Sequence, residues 1–475
     1  MPPTPSQPTV AIAGGGLAGL AAACALSDVG FRVTLFEKRP FLGGRASSWE
    51  HPGTGEVVDN CQHVLFRLCT NLMEFYRRIG VAHQIRWYDE MTFIEPGGRT
   101  SVMKSSPLPA PLHTAPSFLR FAFLDAADKL CIARALLPLT LTEQRDTGQS
   151  FQHWLDQHGQ TKQAIERFWR PILVSALSEE LDLISISAAA QVVRESMKSP
   201  AARHMGVPTV PLTDLYNAAG DYIRARAGGS VVRRPVETFS ADSSQARVRL
   251  RGQEENQEEA FDYLIVALPF DTLDRILPEA PESAPIREKL SHFETAPITG
   301  IHLWFDRQIS HLDHAVLLDR TIQWMFHKSR LQPIRTQAGT GTAGSYIELV
   351  VSSSKTLIDK SRAEIVDLAL GEVREFFPAA REAILVKSTV IKELHATYSP
   401  RPGIDVHRPT AATAWLRIFL AGDWTATGWP ATMEGAVRSG YLAAEAILSA
   451  AGAPRKCLQP ELPPEGLSRL WAREF

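Results

Sequence analysis

Three polar side chains that can exchange protons or hydrogen-bond a substrate stand close together in the stretch VVDNCQHVLF, residues 57–66. The unperturbed pKa of a histidine is about 6.5, so His63 is the candidate acid or base at cellular pH. Asp59 is the candidate partner that holds or charges the imidazole, and Gln62 is the candidate hydrogen-bonding group. We therefore take His63, Asp59 and Gln62 as candidate catalytic residues.

Two other interpretations of this stretch remain open. Asp59, Cys61 and His63 alternate like one face of a strand, as metal ligands can, but no second ligand pair is evident and we predict no metal. In the other interpretation the stretch is a polar loop, in which Asp59 caps the next segment and His63 is a buried, hydrogen-bonded histidine. Nothing special supports Cys61 as a nucleophile.

A glycine pattern near the start of the chain is typical of dinucleotide binding. GGGLAG places Gly14, Gly16 and Gly19 in G-x-G-x-x-G spacing between a predicted strand, TVAIAG, and a predicted helix, LAGLAAACALSDVG. Glycines let the backbone turn sharply and approach a pyrophosphate, whose charge the helix N-terminus favours. Glu37 lies at the end of the next predicted strand, RVTLFEK, where an acid accepts hydrogen bonds from ribose hydroxyls.

Two further stretches favour FAD over NAD. EKRPFLGGRASSW places Gly44 and Arg45 just after Glu37, where a guanidinium can bind a diphosphate. Near the other end of the chain, FLAGDWTATGWPATMEGAV places Asp423 after a buried strand and Met433 in the first turn of a helix. A carboxylate there can bind a ribityl hydroxyl, and the helix N-terminus can stabilise negative charge on a flavin.

We expect the elements that position these groups to form two domains, because 475 residues exceed the usual size of one hydrophobic core. The opening strand–helix–strand unit predicts an α/β fold with a Rossmann-like, doubly wound parallel sheet. A short helix, TNLMEFYRRIG, follows, with Asn71 as its N-cap. We assign residues 1–95, 206–270 and 386–450 to the FAD-binding domain, residues 96–205 and 271–385 to an inserted mixed α+β substrate domain, and residues 451–475 to a C-terminal tail. Exposed loops are predicted at residues 253–259 and 336–345.

Composition narrows the class of protein. Fifty basic and 52 acidic residues give a net charge of -2, and no Lys/Arg-rich run is present, so we predict no nucleic-acid binding. The five cysteines contain no C-x-x-C pair, which predicts neither a disulfide framework nor a zinc cage and fits a cytoplasmic setting. No stretch supplies the ~20 apolar residues of a membrane span.

The stretches quoted above resemble the FAD-containing amine oxidase and phytoene desaturase superfamily at both ends of the chain. Within it, DNCQHVLF, TNLMEFYRRIG and AGDWTATGWPATMEGAVRSGYLAAE resemble the squalene-associated FAD-dependent desaturases, or hydroxysqualene dehydroxylases, of bacterial squalene and hopanoid synthesis. The resemblance implies an amine-oxidase-like fold and non-covalently bound FAD. The implied FAD contacts are Gly14, Gly16, Gly19, Glu37, Lys38, Gly44, Arg45, Val236 through its backbone, Asp423 and Met433.

The resemblance also implies a reaction, the FAD-dependent reductive dehydroxylation of hydroxysqualene to squalene. His63 would protonate the leaving hydroxyl, Gln62 would orient the alcohol, and the pocket would exclude water from the resulting allyl cation. An unidentified reductant must reduce the FAD. The alternatives are an isoprenoid (carotenoid-like) desaturase, another amine-oxidase-like oxidase, and a non-catalytic protein that binds prenyl lipids.

Departures from the amine oxidases disfavour amine oxidation. Thr432 occupies the position of their aromatic-cage tyrosine, and Gly300 that of their flavin-side lysine. The candidates for an apolar pocket lining are Phe66, Trp324, Phe326, Trp424 and Trp429.

A long isoprenoid is insoluble, so the substrate is expected to come from a bilayer. Residues 106–140 include PSFLRFAFLDAADKLCIARALLPL, which is rich in Phe and Leu and interrupted by charges. This stretch fits an interfacial helix or an ordinary amphipathic helix packed on the substrate domain, because both have the same period. We expect peripheral contact at the inner face of the cell membrane.

Overall fold

The computed structural model describes residues 7–254, 257–332 and 344–470. Residues 255–256 and 336–343, which belong to the two predicted exposed loops, lie outside these ranges. Within the described ranges, no helix is long and apolar enough to cross a membrane.

Strands and helices alternate at the start of the chain and segregate later. In chain order the strands are β1 (Thr9–Ala13), β2 (Arg32–Phe36), β3 (Ser48–Glu50), β4 (Val57–Asp59), β5 (Leu65–Phe66), β6 (Ile85–Tyr88), β7 (Glu90–Ile94), β8 (Thr100–Lys104), β9 (Met205–Pro208), β10 (Ser230–Val232), β11 (Val236–Ala241), β12 (Ala246–Leu250), β13 (Glu259–Phe261), β14 (Tyr263–Val266), β15 (Thr295–Phe305), β16 (His314–Leu317), β17 (Trp324–His327), β18 (Ser345–Ser352), β19 (Leu385–Tyr398) and β20 (Ile418–Leu420). The α-helices are α1 (Leu17–Asp28), α2 (Thr70–Arg78), α3 (Ala115–Leu119), α4 (Ala126–Leu141), α5 (Phe151–Gln157), α6 (Lys162–Ala164), α7 (Arg170–Leu177), α8 (Ile186–Met197), α9 (Leu212–Arg224), α10 (Phe270–Ile276), α11 (Ala284–Leu290), α12 (Lys328–Leu331), α13 (Arg362–Phe376) and α14 (Met433–Ala450).

A five-stranded parallel sheet, in the order β10-β2-β1-β14-β20, carries the glycine pattern. In its centre, Ala11 of β1 lies opposite Thr34 of β2 on one side and Leu264 of β14 on the other. The middle strands are almost wholly apolar because elements cover both faces of the sheet, as parallel sheets require. The predicted α/β fold with a doubly wound parallel sheet is therefore confirmed.

The first and last long helices, α1 and α14, pack closely against each other beside this sheet. Helix α1 is buried from Leu17 to Ser27 and is mostly alanine and leucine. At Gly440 of α14, an added Cβ would lie 2.2 Å from the carbonyl oxygen of Ala18, so only glycine allows this approach. The nucleotide-binding part is thus completed by the end of the chain.

A second sheet, in the order β19-β15-β18-β17-β16-β7-β8, includes β8 and β15 to β18, which fall in the residues predicted to form the substrate domain, here called the substrate part. Its neighbouring strands are antiparallel except for β16 and β7, which are parallel. Strands β7 and β19 hydrogen-bond within this sheet, although our division assigns residues 90–95 and 386–398 to the FAD-binding domain. Strand pairing with partners far along the chain leaves no local pattern, so the sequence does not predict that these two strands join this sheet. The rest of the division remains a prediction.

The candidate catalytic stretch leaves the short hairpin β3–β4 and crosses to β5, which pairs with β9. The backbone amide of Asn60 donates a hydrogen bond of 2.8 Å to the carbonyl of Ser47. Gly300 of β15 faces this stretch, and an added Cβ there would lie 3.2 Å from the carbonyl oxygen of Asn60. The backbone of the stretch therefore lies close against the second sheet.

Helix α2 begins at Thr70, so the prediction that Asn71 is its N-cap is wrong. Asn71 is fully buried in the first turn, and its Nδ2 donates 2.8 Å to Glu434 Oε1 of helix α14. The backbone amide of Leu72 also donates to Glu434, at 2.8 Å. A buried carboxylate needs such donors, and this tertiary demand outweighs the local preference of asparagine for a cap.

Candidate active site

A cavity of about 1320 Å³ runs from the glycine turn, Gly14–Gly19, to helices α3 and α4. It exceeds the roughly 300–1,000 Å³ of most small-molecule pockets, so it has room for a dinucleotide together with a long substrate. The predicted cofactor residues that line it are Gly14, Gly16, Glu37, Lys38, Gly44, Arg45, Val236, Asp423 and Met433. The chain thus brings residues from both ends and the middle to one cavity.

The glycine turn is shaped by close backbone contacts. Gly14 has a φ of +114°, and an added Cβ would lie 2.4 Å from the carbonyl oxygen of Ala267. At Gly19, which lies behind the turn, an added Cβ would be 2.0 Å from the carbonyl oxygen of Gly14. Gly16 and Gly44 also face each other, since a Cβ on Gly44 would meet the Gly16 Cα at 3.0 Å. This open cradle at the N-terminus of α1 fits a pyrophosphate.

Glu37 is held at the end of β2 by backbone donors. Its Oε2 accepts a hydrogen bond of 2.7 Å from the Gly15 amide, and its Oε1 accepts one of 2.8 Å from the Arg39 amide. A carboxylate offers about four lone-pair positions, so ribose hydroxyls can still donate to it. The geometry fits the predicted ribose contact.

Arg45 and Asp423, predicted as separate cofactor contacts, meet each other. Arg45 Nη2 lies 2.7 Å from Asp423 Oδ1, and its Nη1 donates 2.6 Å to the carbonyl of Ala396. Burial alone would lower the pKa of the guanidinium, but the charge of Asp423 and the hydrogen bond to it raise that pKa, so Arg45 stays charged. This pair joins the two ends of the chain across the cavity.

Helix α14 directs its N-terminus at the cavity. Thr432 is its N-cap, and its hydroxyl accepts a hydrogen bond of 3.1 Å from the Gly435 amide. Met433 follows as the first helical residue and lines the cavity. The partial positive charge of this helix end favours an anionic ring system beside it.

Asp59 does not hold the His63 imidazole by a hydrogen bond, although its charge raises the pKa of His63. Asp59 is 3% exposed; its Oδ2 lies 2.5 Å from Lys328 Nζ, and its Oδ1 accepts 3.2 Å from the Leu212 amide. The imidazole Nδ1 of His63 lies 2.7 Å from the Cys61 carbonyl instead. Asp59 pairs with the buried ammonium of Lys328 because leaving either charge buried without a partner costs far more free energy than leaving a neutral imidazole without a charged partner.

His63 lines the cavity as a neutral imidazole. Burial, as the largest cause, lowers its pKa below the usual value. The hydrogen bond to the Cys61 carbonyl and the charge of Asp59 oppose this by raising the pKa, and the charges of Arg45 and Lys328 have smaller lowering effects. A carbonyl only accepts hydrogen bonds, so Nδ1 carries the proton and Nε2 keeps its lone pair. In this state His63 is ready to accept a proton or a hydrogen bond.

Lys328 and Glu348 complete a buried group that the sequence analysis missed. Lys328 is 1% exposed, and its Nζ donates 2.9 Å to Gln62 Oε1 and lies 3.4 Å from Glu348 Oε2. Burial raises the pKa of Glu348 to about 8, so it holds a proton at neutral pH, while Asp59 keeps Lys328 charged. A charged residue inside an apolar strand, as in SYIELVVS, is the signal that points to such a group.

The geometry disfavours the metal alternative, because Lys328 and the Cys61 carbonyl already bind the side chains of Asp59 and His63. Among the described residues, ligand atoms of Glu288, His292 and His407 lie within 4.8 Å of one another, but these residues do not line the cavity.

Most of the cavity lining is apolar. Of the predicted aromatic lining, Phe66, Trp324, Phe326 and Trp429 do line it. Trp424 is buried elsewhere, where its Nε1 donates 3.0 Å to the Leu268 carbonyl, so its prediction is wrong. Leucines of α4 also line the cavity.

The parallel sheet, the glycine turn and the α14 N-terminus define a flavoprotein with a dinucleotide cradle opening into an apolar chamber. The chain belongs to the flavin containing amine oxidoreductase family, which it matches over residues 17–448. The protein is accordingly an FAD-dependent oxidoreductase, and FAD is its cofactor.

The similarity to named relatives extends over nearly the whole chain. The sequence is 29% identical over 466 residues to a 15-cis-phytoene desaturase of Synechococcus elongatus, covering 93% of this chain and 96% of the relative. It is 26% identical over 477 residues to a zeta-carotene desaturase of a Synechocystis strain, covering 93% and 97%. The crystal structure of cyclohexylamine oxidase from Brevibacterium oxydans shares the fold, with a TM-score of 0.64, 15% identity, and coverage of 94% and 100%.

Proposed function

We propose that the protein exchanges hydride between FAD and a long-chain isoprenoid that extends along the apolar part of the cavity. One observation carries this proposal: a single cavity joins the dinucleotide cradle to a chamber lined by Phe66, Trp324 and Phe326. The names of the full-length relatives support an isoprenoid substrate. Bound FAD supplies the hydride transfer, and the chain supplies binding, orientation and proton handling.

The first candidate reaction is desaturation, which the relatives' names favour. Removal of hydride from a hydrocarbon leaves a cation that must lose a proton to form the new double bond. His63 fits the role of proton acceptor, because its Nδ1 is held by the Cys61 carbonyl and its pKa is lowered by burial. The apolar walls keep water from capturing the cation.

The second candidate reaction is reductive dehydroxylation of hydroxysqualene to squalene, and the polar end of the cavity favours it. A hydrocarbon makes no hydrogen bonds, yet Gln62 and His63 line the cavity beside the cofactor residues. An allylic alcohol would use them: Gln62 can orient its hydroxyl, and a proton taken up by His63 and passed to that hydroxyl would let it leave as water when the carbon–oxygen bond breaks. The same motifs carry the resemblance to the squalene-associated enzymes, and a cellular reductant for FAD is part of this proposal.

Single-turnover measurements on the FAD-loaded protein distinguish the two reactions. In one arm, oxidised protein is mixed anaerobically with phytoene or zeta-carotene, and desaturation bleaches the flavin absorbance and yields a product with two fewer hydrogens. In the other arm, photoreduced protein is mixed with hydroxysqualene, and dehydroxylation restores the absorbance and yields squalene by mass spectrometry. If neither substrate is consumed at full flavin occupancy, the proposed function is contradicted.

We further propose that the substrate enters from a membrane surface on the cytoplasmic side. Leu112, Leu130 and Leu137 line the cavity and are also 47%, 53% and 58% exposed, so they form an apolar mouth. Burying this apolar area in lipid is favourable, at about 25 cal/mol per Å².

Charged replacements at the mouth test the membrane contact. The variant Leu130→Glu/Leu137→Glu is expected to bind less to anionic phospholipid vesicles in co-sedimentation while keeping its flavin. Leu416→Glu is the matched control, because Leu416 is 73% exposed and does not line the cavity. Equal vesicle binding by all three proteins would contradict the proposed contact.

A further inference from the structure

Lys328 is the first residue of the short helix α12 and is almost completely buried behind the candidate catalytic stretch. Its ammonium contacts three oxygens, from Asp59 at 2.5 Å, Gln62 at 2.9 Å and Glu348 at 3.4 Å. Two of these oxygens belong to the stretch itself, and the third belongs to the second sheet. The ammonium therefore ties residues 59–63 to the substrate part of the protein.

The same stretch is held from another side by close packing. Gly300 of β15 leaves so little space that an added Cβ would lie 3.2 Å from the Asn60 carbonyl oxygen and 3.8 Å from the Cys61 Cα. The Asn60 Nδ2 also donates 3.0 Å to the carbonyl of Arg45, next to the cofactor end of the cavity. The stretch is thus fixed between the cofactor residues, β15 and Lys328.

Lys328 also sets the orientation of the Gln62 amide. An ammonium only donates hydrogen bonds, so it selects the oxygen of the amide, and the nitrogen side is left to donate. That nitrogen, Nε2, lies 3.2 Å from the backbone carbonyl of His63, the residue that shares the cavity wall with Gln62. Among the described residues, Lys328 is the charged group that hydrogen-bonds this amide, and the His63 carbonyl is the neutral partner that favours the same orientation.

We propose that Lys328 is a positioning residue, which holds Asp59 and the Gln62 amide so that Gln62 and His63 face the substrate in the cavity. The inference rests on the proposed function for its catalytic consequence, and on the contacts above for its geometry. Buried ion pairs often add little net stability compared with well-packed apolar residues, and in some proteins they instead specify one arrangement of the groups that they join. That distinction between stability and arrangement makes the role testable.

The test compares Lys328→Met with the double variant Asp59→Asn/Lys328→Met. The single variant leaves a buried carboxylate unpaired and is expected to unfold at a lower temperature. The double variant removes both charges, so its thermal stability is expected to return toward that of the wild type. Both are expected to bind FAD, because neither side chain lines the cavity.

Turnover separates positioning from a structural role. In both variants we expect kcat to fall by about 100-fold with a much smaller change in KM, because a displacement of the reacting groups of ~1 Å has an effect of that size. Lys355→Met is the matched control, since Lys355 Nζ pairs at 2.6 Å with the fully buried Glu179 away from the cavity lining. Wild-type kcat in the double variant would overturn the inference.

A second readout keeps the inference separate from the proposed function. If the wild type turns over no isoprenoid, the proposed function fails, and the geometry is tested by modification of His63 with diethylpyrocarbonate, followed by peptide mass spectrometry. Release of the stretch in both variants is expected to change the rate of modification of His63 relative to wild type and to Lys355→Met. An unchanged rate would overturn the inference even without an assay of activity.

Discussion

The glycine turn and the 59–63 stretch line the same cavity but are built in different ways. At the glycine turn the deciding contacts are local: the Gly15 amide and the Glu37 carboxylate are 22 positions apart. In the 59–63 stretch, Asp59 meets Lys328 across 269 positions, and the contact depends on the second sheet. The cofactor end is therefore set by one strand–helix–strand unit, whereas the reactive end is set by tertiary packing.

The largest expected effect is at the glycine turn. Gly19→Ala would bring a Cβ to 2.0 Å from the Gly14 carbonyl oxygen, so the turn must open, and we expect the purified protein to carry no flavin absorbance. Gly371→Ala is the control, since nothing lies within 4 Å of a Cβ there, and alanine should stabilise helix α13 by up to about 1 kcal/mol. If Gly19→Ala keeps its full flavin content, flavin binding does not depend on this local contact.

The next effect separates chemistry from cofactor binding at the reactive end. We expect His63→Gln to keep its FAD and to lose turnover by roughly 10²- to 10⁴-fold, because it removes the proton-exchanging group. The measurement is single-turnover change in flavin absorbance with the isoprenoid that the wild type consumes. His83→Gln, at an exposed position, is the control. Equal rates in the two variants would mean that His63 only shapes the pocket.

Acid is expected to weaken the substrate part before the nucleotide-binding part. Burial, as the largest cause, lowers the pKa of His302 to about 3 and the pKa values of His327 and His113 to about 4. The unfolded chain, with pKa values near 6.5, then binds more protons than the folded chain, so stability falls as the pH falls from about 6.5 to 4, by roughly 1.4 kcal/mol per pH unit for each histidine. His302 and His327 lie in β15 and β17.

Hydrogen exchange at pH 7.5 and pH 5 checks this order. Peptides of β15 and β17 are expected to lose protection at pH 5 while peptides of β1 and β2 keep theirs. Earlier loss in β1 and β2 would reverse the comparison. Replacing His302 by Gln, which does not titrate, should flatten the pH dependence of the urea midpoint.

The smallest effect is expected at Glu37. Glu37→Gln keeps one amide oxygen as acceptor but loses the charge that strengthens both hydrogen bonds, so FAD affinity should fall by about 10-fold, or ~1.4 kcal/mol. Fluorescence titration of the apoprotein with FAD measures this change. Glu56→Gln, which alters a carboxylate outside the cavity lining, serves as control. An unchanged affinity would show that the carboxylate only braces the turn.

The sequence brings the predicted residues of the cofactor end to one cavity because their requirements are local. Gly14, Gly16 and Glu37 follow from the turn and strand ends that a pyrophosphate and a ribose need, and all three line the cavity. The reactive end is different. The sequence shows that Asp59 is a polar residue between apolar ones, but it does not show that the partner of Asp59 is Lys328, 269 positions away.

Two residues show where local reasoning fails. Asn71 is a residue type that often caps helices, but its side chain hydrogen-bonds the buried Glu434 instead. Lys328 follows a strand, where a lysine is usually exposed, but its exposed fraction is only 1%. In both cases the deciding interaction joins elements that are hundreds of positions apart, such as α2 and α14. Only the folded packing shows which polar groups must satisfy one another.

Because α14 packs on α1, this contact forms only after α14 has been synthesised. Helix α1 leaves the ribosome roughly 400 residues before α14, which at bacterial or eukaryotic elongation rates is on the order of 20–80 s. During that interval α1 lacks α14, although α9 can already pack against it, and Arg45 lacks Asp423. We therefore expect the nascent chain to retain flavin only after α14 has been synthesised, and we expect a premature stop before β20 to yield a colourless, aggregating product.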